Sequence, residues 1–190
     1  YKMQPYPKHT RIHFLYLGRI MKEKGIDELF YAVRHLKKEN ENFVLDLVGF
    51  FEDEYKEQVK ELEKHSIAHF YGFQSDPRPF YIEADCIVLP SYHEGMSNVI
   101  LEAAATGRPV ITSNIPGCRE SVENGKSGLL VEVKNKEMLY DAMKEMLHCS
   151  REEREQMGQA GREKMEREFR KEVVVEKTVQ SLREDEKRDF

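Results

Sequence analysis

Cysteine is scarce in this 190-residue chain. The three present, Cys86, Cys118 and Cys149, are odd in number, widely spaced and form no C-x-x-C pair. That pattern argues against a disulfide or zinc framework and fits reduced cytosolic thiols. No stretch approaches the roughly 18 to 20 consecutive apolar residues that span a bilayer. The opening Tyr1-Lys-Met-Gln-Pro-Tyr-Pro-Lys8 has no apolar core and so does not read as a signal peptide; without an initiating methionine it reads as a start inside a longer chain. Neither sign of charge dominates: 30 basic against 35 acidic residues leave a net of −5, which offers no general attraction to nucleic acid. There is no Asp-x-Asp pair to hold a divalent metal against a diphosphate, no Walker A sequence and no G-x-G-x-x-G fingerprint.

What is present is 39% hydrophobic and 34% charged residues, the balance of a soluble globular chain with enough length for one substantial core. The apolar residues fall in short runs without period-two alternation: 11–17, 43–48, 67–71, 86–89, 109–112 and 128–133. Helical spacing lies between them, as in Ile26, Leu29, Phe30, Val33 and Leu36, in Tyr55, Val59 and Leu62, and in Leu139, Ala142, Met143, Met146 and Leu147. Strands buried on both faces and separated by helices predict an α/β domain with a six-stranded parallel sheet. From Arg151 onward the chain is strongly charged but still periodic. Met157, Ala160, Met165 and Phe169 predict one helix, and Val173, Val174, Val179 and Leu182 another, with a bend near Phe169.

The stretch from Ser91 to Val110 carries the chemistry. It leaves an apolar run as a loop, passes through a short Ala-rich helix and enters a second apolar run, a βαβ unit whose ligand side lies beyond the carboxyl ends of the strands. Glu94 and Glu102 sit in it eight positions apart. Ser97 and Asn98 suit a helix start, whose free N–H groups can face phosphate oxygens. Earlier, the first strand ends in Gly18-Arg19-Ile-Met-Lys-Glu-Lys-Gly25, which brings two cations to another helix start; taken alone, Arg19 and Lys24 read equally well as solvated loop charges. Two carboxylates also fit the acid and nucleophile of a glycoside hydrolase. His93, beside Glu94, has no Ser or Asp partner specified by the sequence and reads as a cleft-lining residue.

The series Gly18-Arg19 with Lys24-Gly25, Glu94 with Glu102, Ala105-Thr-Gly-Arg-Pro-Val110, and Glu120 to Val131 resembles, in order, the carboxyl-terminal half of GT-B glycosyltransferases, especially the large retaining group 1 type that includes bacterial capsular and exopolysaccharide transferases. The resemblance covers nearly the whole chain. It implies a Rossmann-like three-layer domain over residues 11–168, with residues 1–10 as a linker or an artificial start and 169–190 as a helix crossing back to an amino-terminal domain. It implies a nucleotide-sugar donor, with UDP preferred to GDP, and a saccharide or lipid-linked acceptor held by that other domain. Arg19 and Lys24 would face the diphosphate, Glu94 the transferred sugar, and Glu102 the ribose. Gly18 and Gly49 would line the nucleotide cleft, Phe73 and Gln74 would lie by the base, and Gly95, Met96, Ser97, Asn98 and Val99 would form the phosphate-facing turn. No dedicated metal or other cofactor follows from it. The full enzyme would be cytoplasmic or at the inner face of the cell membrane. Two other readings share the architecture: a non-hydrolysing nucleotide-sugar epimerase-like domain and a non-catalytic nucleotide-binding domain.

Overall fold

The computed structural model describes residues 1–8, 10–39, 41–170, 172–175 and 179. Six strands, β1 (Ile12–Leu17), β2 (Phe43–Val48), β3 (Ala68–Gly72), β4 (Cys86–Leu89), β5 (Val110–Ser113) and β6 (Gly128–Val131), pair in parallel in the order β3-β2-β1-β4-β5-β6. All six residues of β2 and all four of β4 and β5 are buried, as strands covered on both faces require. The helices are α1 (Ile26–Lys38), α2 (Lys56–Lys64), α3 (Arg78–Glu83), α4 (Asn98–Thr106), α5 (Lys136–His148) and α6 (Arg151–Glu168). The chain winds from β1 outward to β3, crosses back to β4 and winds the other way to β6. The loops after β1 and β4 therefore leave neighbouring strands in opposite directions and open a crevice at their carboxyl ends, the place where open α/β sheets bind ligands.

The apolar stripe of α1 is buried as its spacing predicts, with Ala32 added, and packs on α5. Two short 3₁₀ turns, Lys22–Lys24 and Arg119–Ser121, interrupt the loops around the crevice. The second ends where Val122 returns to extended dihedrals and buries its side chain.

The face of α6 departs from expectation. Ser150 and Glu153 form a reciprocal capping box at its start, with Glu153 N–H donating to Ser150 Oγ at 3.2 Å and Ser150 N–H to Glu153 Oε2 at 2.7 Å. Its buried residues are Arg154, Gly158 and Gly161, whereas Met157, Ala160, Met165 and Phe169 are only half-buried. Small residues win this face because α4 and α6 approach closely: a Cβ on Gly158 would lie 2.1 Å from the carbonyl oxygen of Gly107. Ala104 on α4 serves the same approach: a Cβ on Gly161 would lie 3.7 Å from its Cβ. Residues 172–175 resume helical geometry after Phe169, with Val174 and Val175 exposed, and Val179 is exposed as well. Leu182, counted in the same expected stripe, lies outside the described residues.

Residues 1–8 have no regular secondary structure, yet they lie against the domain. Tyr6 is buried between the guanidinium groups of Arg108 and Arg151, 5.2 and 5.8 Å from its ring centre, and its hydroxyl donates to Asp85 O at 2.5 Å. Arg108 is itself buried to 1% exposure and donates to the carbonyls of Tyr81 (3.0 Å), Ile82 (2.8 Å), Pro5 (2.9 Å) and Gln4 (3.3 Å). One planar fork thus joins the end of α3, the end of α4 and the amino-terminal segment. Arg108→Met should lower the unfolding free energy by about 3 kcal/mol or more, since several buried carbonyls lose their donor at roughly 1 to 3 kcal/mol each. Urea denaturation followed by circular dichroism reads this; a change under about 1 kcal/mol would show that the carbonyls find other donors.

Candidate functional site

The crevice is built from backbone first. Gly18 ends β1 with φ +153° and Gly49 ends β2 with φ +149°; a Cβ on Gly49 would lie 1.8 Å from Gly18 O, so the two strand ends meet closely enough that Gly49 admits no side chain. Two cavities open from it. The larger, about 300 Å³, is lined by Leu17, Gly18, Arg19, Lys24, Leu89, Glu94, Met96, Ser97, Asn98 and Val99. The smaller, about 180 Å³, is lined by Leu17, Gly18, Arg19, Val48, Gly49, Phe50, Phe73, Gln74 and Pro77. They share Leu17, Gly18 and Arg19, so one elongated cleft runs from the start of α4, past the end of β1, to the start of α3.

In the larger cavity, Lys24 Nζ donates to Glu94 Oε1 at 2.7 Å, with the side chains only 17% and 15% exposed. This pair bridges the loop after β1 and the loop after β4. A backbone contact ties the same two loops and a phenol ties the second to α1: Tyr92 N–H donates to Glu23 O at 2.8 Å, and the Tyr92 hydroxyl lies 2.9 Å from both carboxylate oxygens of Glu28. Burial, then Glu28, raise the Tyr92 phenol above its ordinary range, so it stays a donor. Tyr16, whose hydroxyl donates to Arg19 O, is raised likewise by burial and by Glu94. Ser97 caps α4 in extended geometry without a side-chain hydrogen bond to the helix, so the first N–H groups of α4 have no side-chain cap where Ser97, Asn98 and Val99 line the cavity.

The Glu94–Ser97 turn is held from behind by residues 114–121. Gly117 has φ +86°, and a Cβ there would stand 1.5 Å from Gly95 O and 2.7 Å from Glu94 O. Ser97 N–H donates to Gly117 O at 3.2 Å, and Gly117 N–H donates to Glu120 Oε2 at 2.8 Å. Hydrogen bonds from its own and the Gly117 backbone hold Glu120 below the usual carboxylate range. Burial pushes the nearby Cys118 thiol up to about 11, which makes it a packing group rather than a thiolate nucleophile at neutral pH.

The structure brings most of the expected residues together, with two changes of emphasis. Arg19 lines both cavities, but its guanidinium bonds Glu52 at 2.8 and 3.1 Å and is half exposed, not gathered with Lys24 around Glu94. Glu102 lines neither cavity: its Oε2 accepts from the Tyr81 hydroxyl at 2.9 Å, between α3 and α4. Phe73 and Gln74 line the smaller cavity, where the Gln74 amide donates to Tyr71 O at 2.8 Å. His93 is exposed. Phe50 was not among the sequence candidates. It stands 6.5 Å edge-on from Phe73 and is 48% exposed beside a partner 70% exposed; its position just after Gly49, as Arg19 follows Gly18, was the available signal. Glu52 gave none. Among the described residues, no group of three or more His, Cys, Asp or Glu side chains is placed to hold a metal ion, and no helix is long and apolar enough to cross a membrane.

Residues 2–164 match the family model described as glycosyl transferases group 1. The chain is 30% identical over 164 residues to the capsular polysaccharide biosynthesis glycosyltransferase CapM of Staphylococcus aureus, covering 85% of this chain and 43% of that protein. It is 34% identical over 121 residues to the N,N'-diacetylbacillosaminyl-diphospho-undecaprenol alpha-1,3-N-acetylgalactosaminyltransferase of Campylobacter jejuni, covering 64% of this chain and 31% of that one. Among solved structures, the C-terminal domain of a glycosyl transferase group 1 family protein (LpcC) from Francisella tularensis superposes with a TM-score of 0.71 at 26% identity, covering 84% of this chain and 87% of that domain. The chain thus spans less than half the length of the two curated relatives and nearly all of a solved carboxyl-terminal domain.

The close approach behind the Glu94 turn is testable. Gly117→Ala should destabilise the fold by about 1 to 3 kcal/mol more than Gly125→Ala, because both glycines have positive φ but only Gly117 faces backbone. Equal losses in urea denaturation would mean that the turn yields freely.

Proposed function

The chain belongs to the group 1 glycosyl transferases, and from that membership and the shape of the cleft we propose that it is the donor-binding part of an enzyme that transfers a hexose or N-acetylhexosamine from a nucleotide sugar, a UDP-sugar before a GDP-sugar, to a saccharide or lipid-linked acceptor with retention. The observation that carries the reading is the single cleft in which an aromatic pocket and a cationic pocket meet at Gly18 and Arg19. A nucleotide sugar has the same order of parts: a flat base, a ribose, a diphosphate and a hexose.

In this reading the base enters between Phe50, Phe73 and Gln74, above Gly18 and Gly49. The ribose lies where the two pockets join, and its hydroxyls reach toward Glu102, which stands beside the cleft one helical turn beyond Asn98 rather than in its lining. The diphosphate lies at the start of α4, where Gly95, Met96 and the N–H groups following Ser97 stand beside Arg19 and Lys24. Glu94 accepts from hydroxyls of the hexose. As the sugar–phosphate bond breaks, negative charge grows on the leaving diphosphate, and Lys24 and Arg19 oppose it with charge-assisted hydrogen bonds. Both cations carry carboxylate partners in the structure, so an arriving diphosphate exchanges partners with Glu94 and Glu52 instead of meeting bare charges. The names of the Staphylococcus and Campylobacter relatives support a role in polysaccharide or lipid-linked glycan assembly and an N-acetylhexosamine among the donors. The acceptor would lie on another domain that closes over this cleft, aligning the reactants and excluding water. Residues 11–168 form the donor domain in this reading; most of the expected return helix, 169–190, lies outside the described residues.

Lys24→Ala should weaken UDP binding by about 2 to 3 kcal/mol, and Arg19→Ala by about 1 kcal/mol, since Arg19 is the more exposed. Isothermal titration on folded variants checks both, and affinities equal to wild type would leave them as ordinary surface charges. A chain carrying both domains should release UDP in an acceptor-dependent manner, while residues 1–190 alone should bind without transfer. Comparable transfer by the two would sink the division of labour.

A further inference from the structure

Tyr81 is fully buried, with 0% exposure, although its hydroxyl is a polar group that needs a partner. The partner is Glu102 Oε2 at 2.9 Å, and the exposed Tyr1 hydroxyl also bonds this carboxylate. The ring cannot move far. Arg108 holds the carbonyls of Tyr81 and Ile82 at 3.0 and 2.8 Å, and the ring of Tyr1 stands perpendicular to that of Tyr81 with 5.7 Å between centres. Glu102, by contrast, has a long side chain on a helix face, and rotamer freedom must be lost before its carboxylate can meet a ligand. α3 begins next to Pro77 of the aromatic pocket, and α4 begins at Asn98 of the cationic pocket, so the Tyr81–Glu102 bond lies between the elements that bound the two ends of the cleft.

We infer that Tyr81 is a positioning residue for Glu102: its hydroxyl binds Oε2 and fixes the rotamer of the carboxylate that the reading above sets against the cis-diol of a nucleoside ribose. This deepens the reading of Glu102 given above and rests on it. A neutral phenol suits the task better than a cation would, because it orients the carboxylate without cancelling the charge that makes it a strong acceptor. Burial and the neighbouring Glu102 raise the Tyr81 phenol far above neutral pH, which keeps its proton available for donation.

The test is a titration of UDP and of 2',3'-dideoxy-UDP into wild type, Tyr81→Phe, Glu102→Ala and the double variant, with folding checked by circular dichroism and thermal melting. Tyr81→Phe keeps the ring and removes only the hydroxyl. It should weaken UDP about three- to tenfold, change the dideoxy analogue less than about twofold, and have no effect once Glu102 is alanine. A merely structural role would lower affinity for both ligands alike, or by the same factor in the Glu102→Ala background, and either result overturns the inference. Wild type that binds both ligands equally refutes the ribose role of Glu102 itself, and the inference falls with it; that outcome is read without any variant. Should Tyr81→Phe fail to fold, Glu102→Ala still decides against the inference if it keeps the wild-type preference for UDP over the analogue.

Discussion

The ion pair between Lys24 and Glu94 spans the crevice where the sheet changes winding direction, and the arrangement of the cleft depends on it. Neither side chain is fully buried, yet both are withdrawn enough that removing one would leave the other poorly solvated. The pair holds the loop after β1 against the loop after β4, and it keeps a lysine at the mouth of a helix start that already favours anions. A site of this kind is neutral at rest and becomes cationic toward a ligand only by partner exchange. That is a physical route to selectivity for phosphates over other solutes, because the incoming anion must outcompete a carboxylate 2.7 Å away.

Everything nearby limits how far that pair can wander. Gly117 packs backbone to backbone against Gly95, Tyr92 ties residue 23 to the same loop, and Gly18 meets Gly49 across the strand ends. Behind them, Arg108 joins the ends of α3 and α4 through carbonyl oxygens rather than through a carboxylate, so its charge is spread among dipoles and the two helices keep a fixed relation. In the proposed donor complex those helices bound the base and the phosphates respectively, and rigidity between them is what preorganises the cleft.

Much of this was legible in the sequence because it depends on local signals. Each strand announced itself as a short apolar run, and Gly18, Gly49 and the Ser97-Asn98 helix start marked the points where the chain turns at the cleft. What was not legible depends on distance through space. The Glu52 partner of Arg19 is 33 positions away on a loop with no motif, and Tyr81 reads as an ordinary apolar helix residue until Glu102 is seen beside it. The α6 face was misread because apolar periodicity finds large side chains, whereas a tight helix crossing selects glycines 158 and 161 and leaves methionines at the rim. Phe50 escaped for a related reason: exposed aromatics carry meaning only when a cavity beside them is known.

The central claim, that Lys24 and Glu94 separate on binding so that one faces phosphate and the other sugar, is tested most directly by titrating UDP and a panel of UDP-hexoses and UDP-N-acetylhexosamines into wild type and Glu94→Gln. The account predicts that the variant binds UDP no more weakly than wild type, since Lys24 remains and has lost its carboxylate competitor, while losing the added affinity for the intact nucleotide sugar. A large and equal loss for UDP and for the UDP-sugars would contradict it, placing Glu94 on the phosphate side or making it a structural strut of the loop.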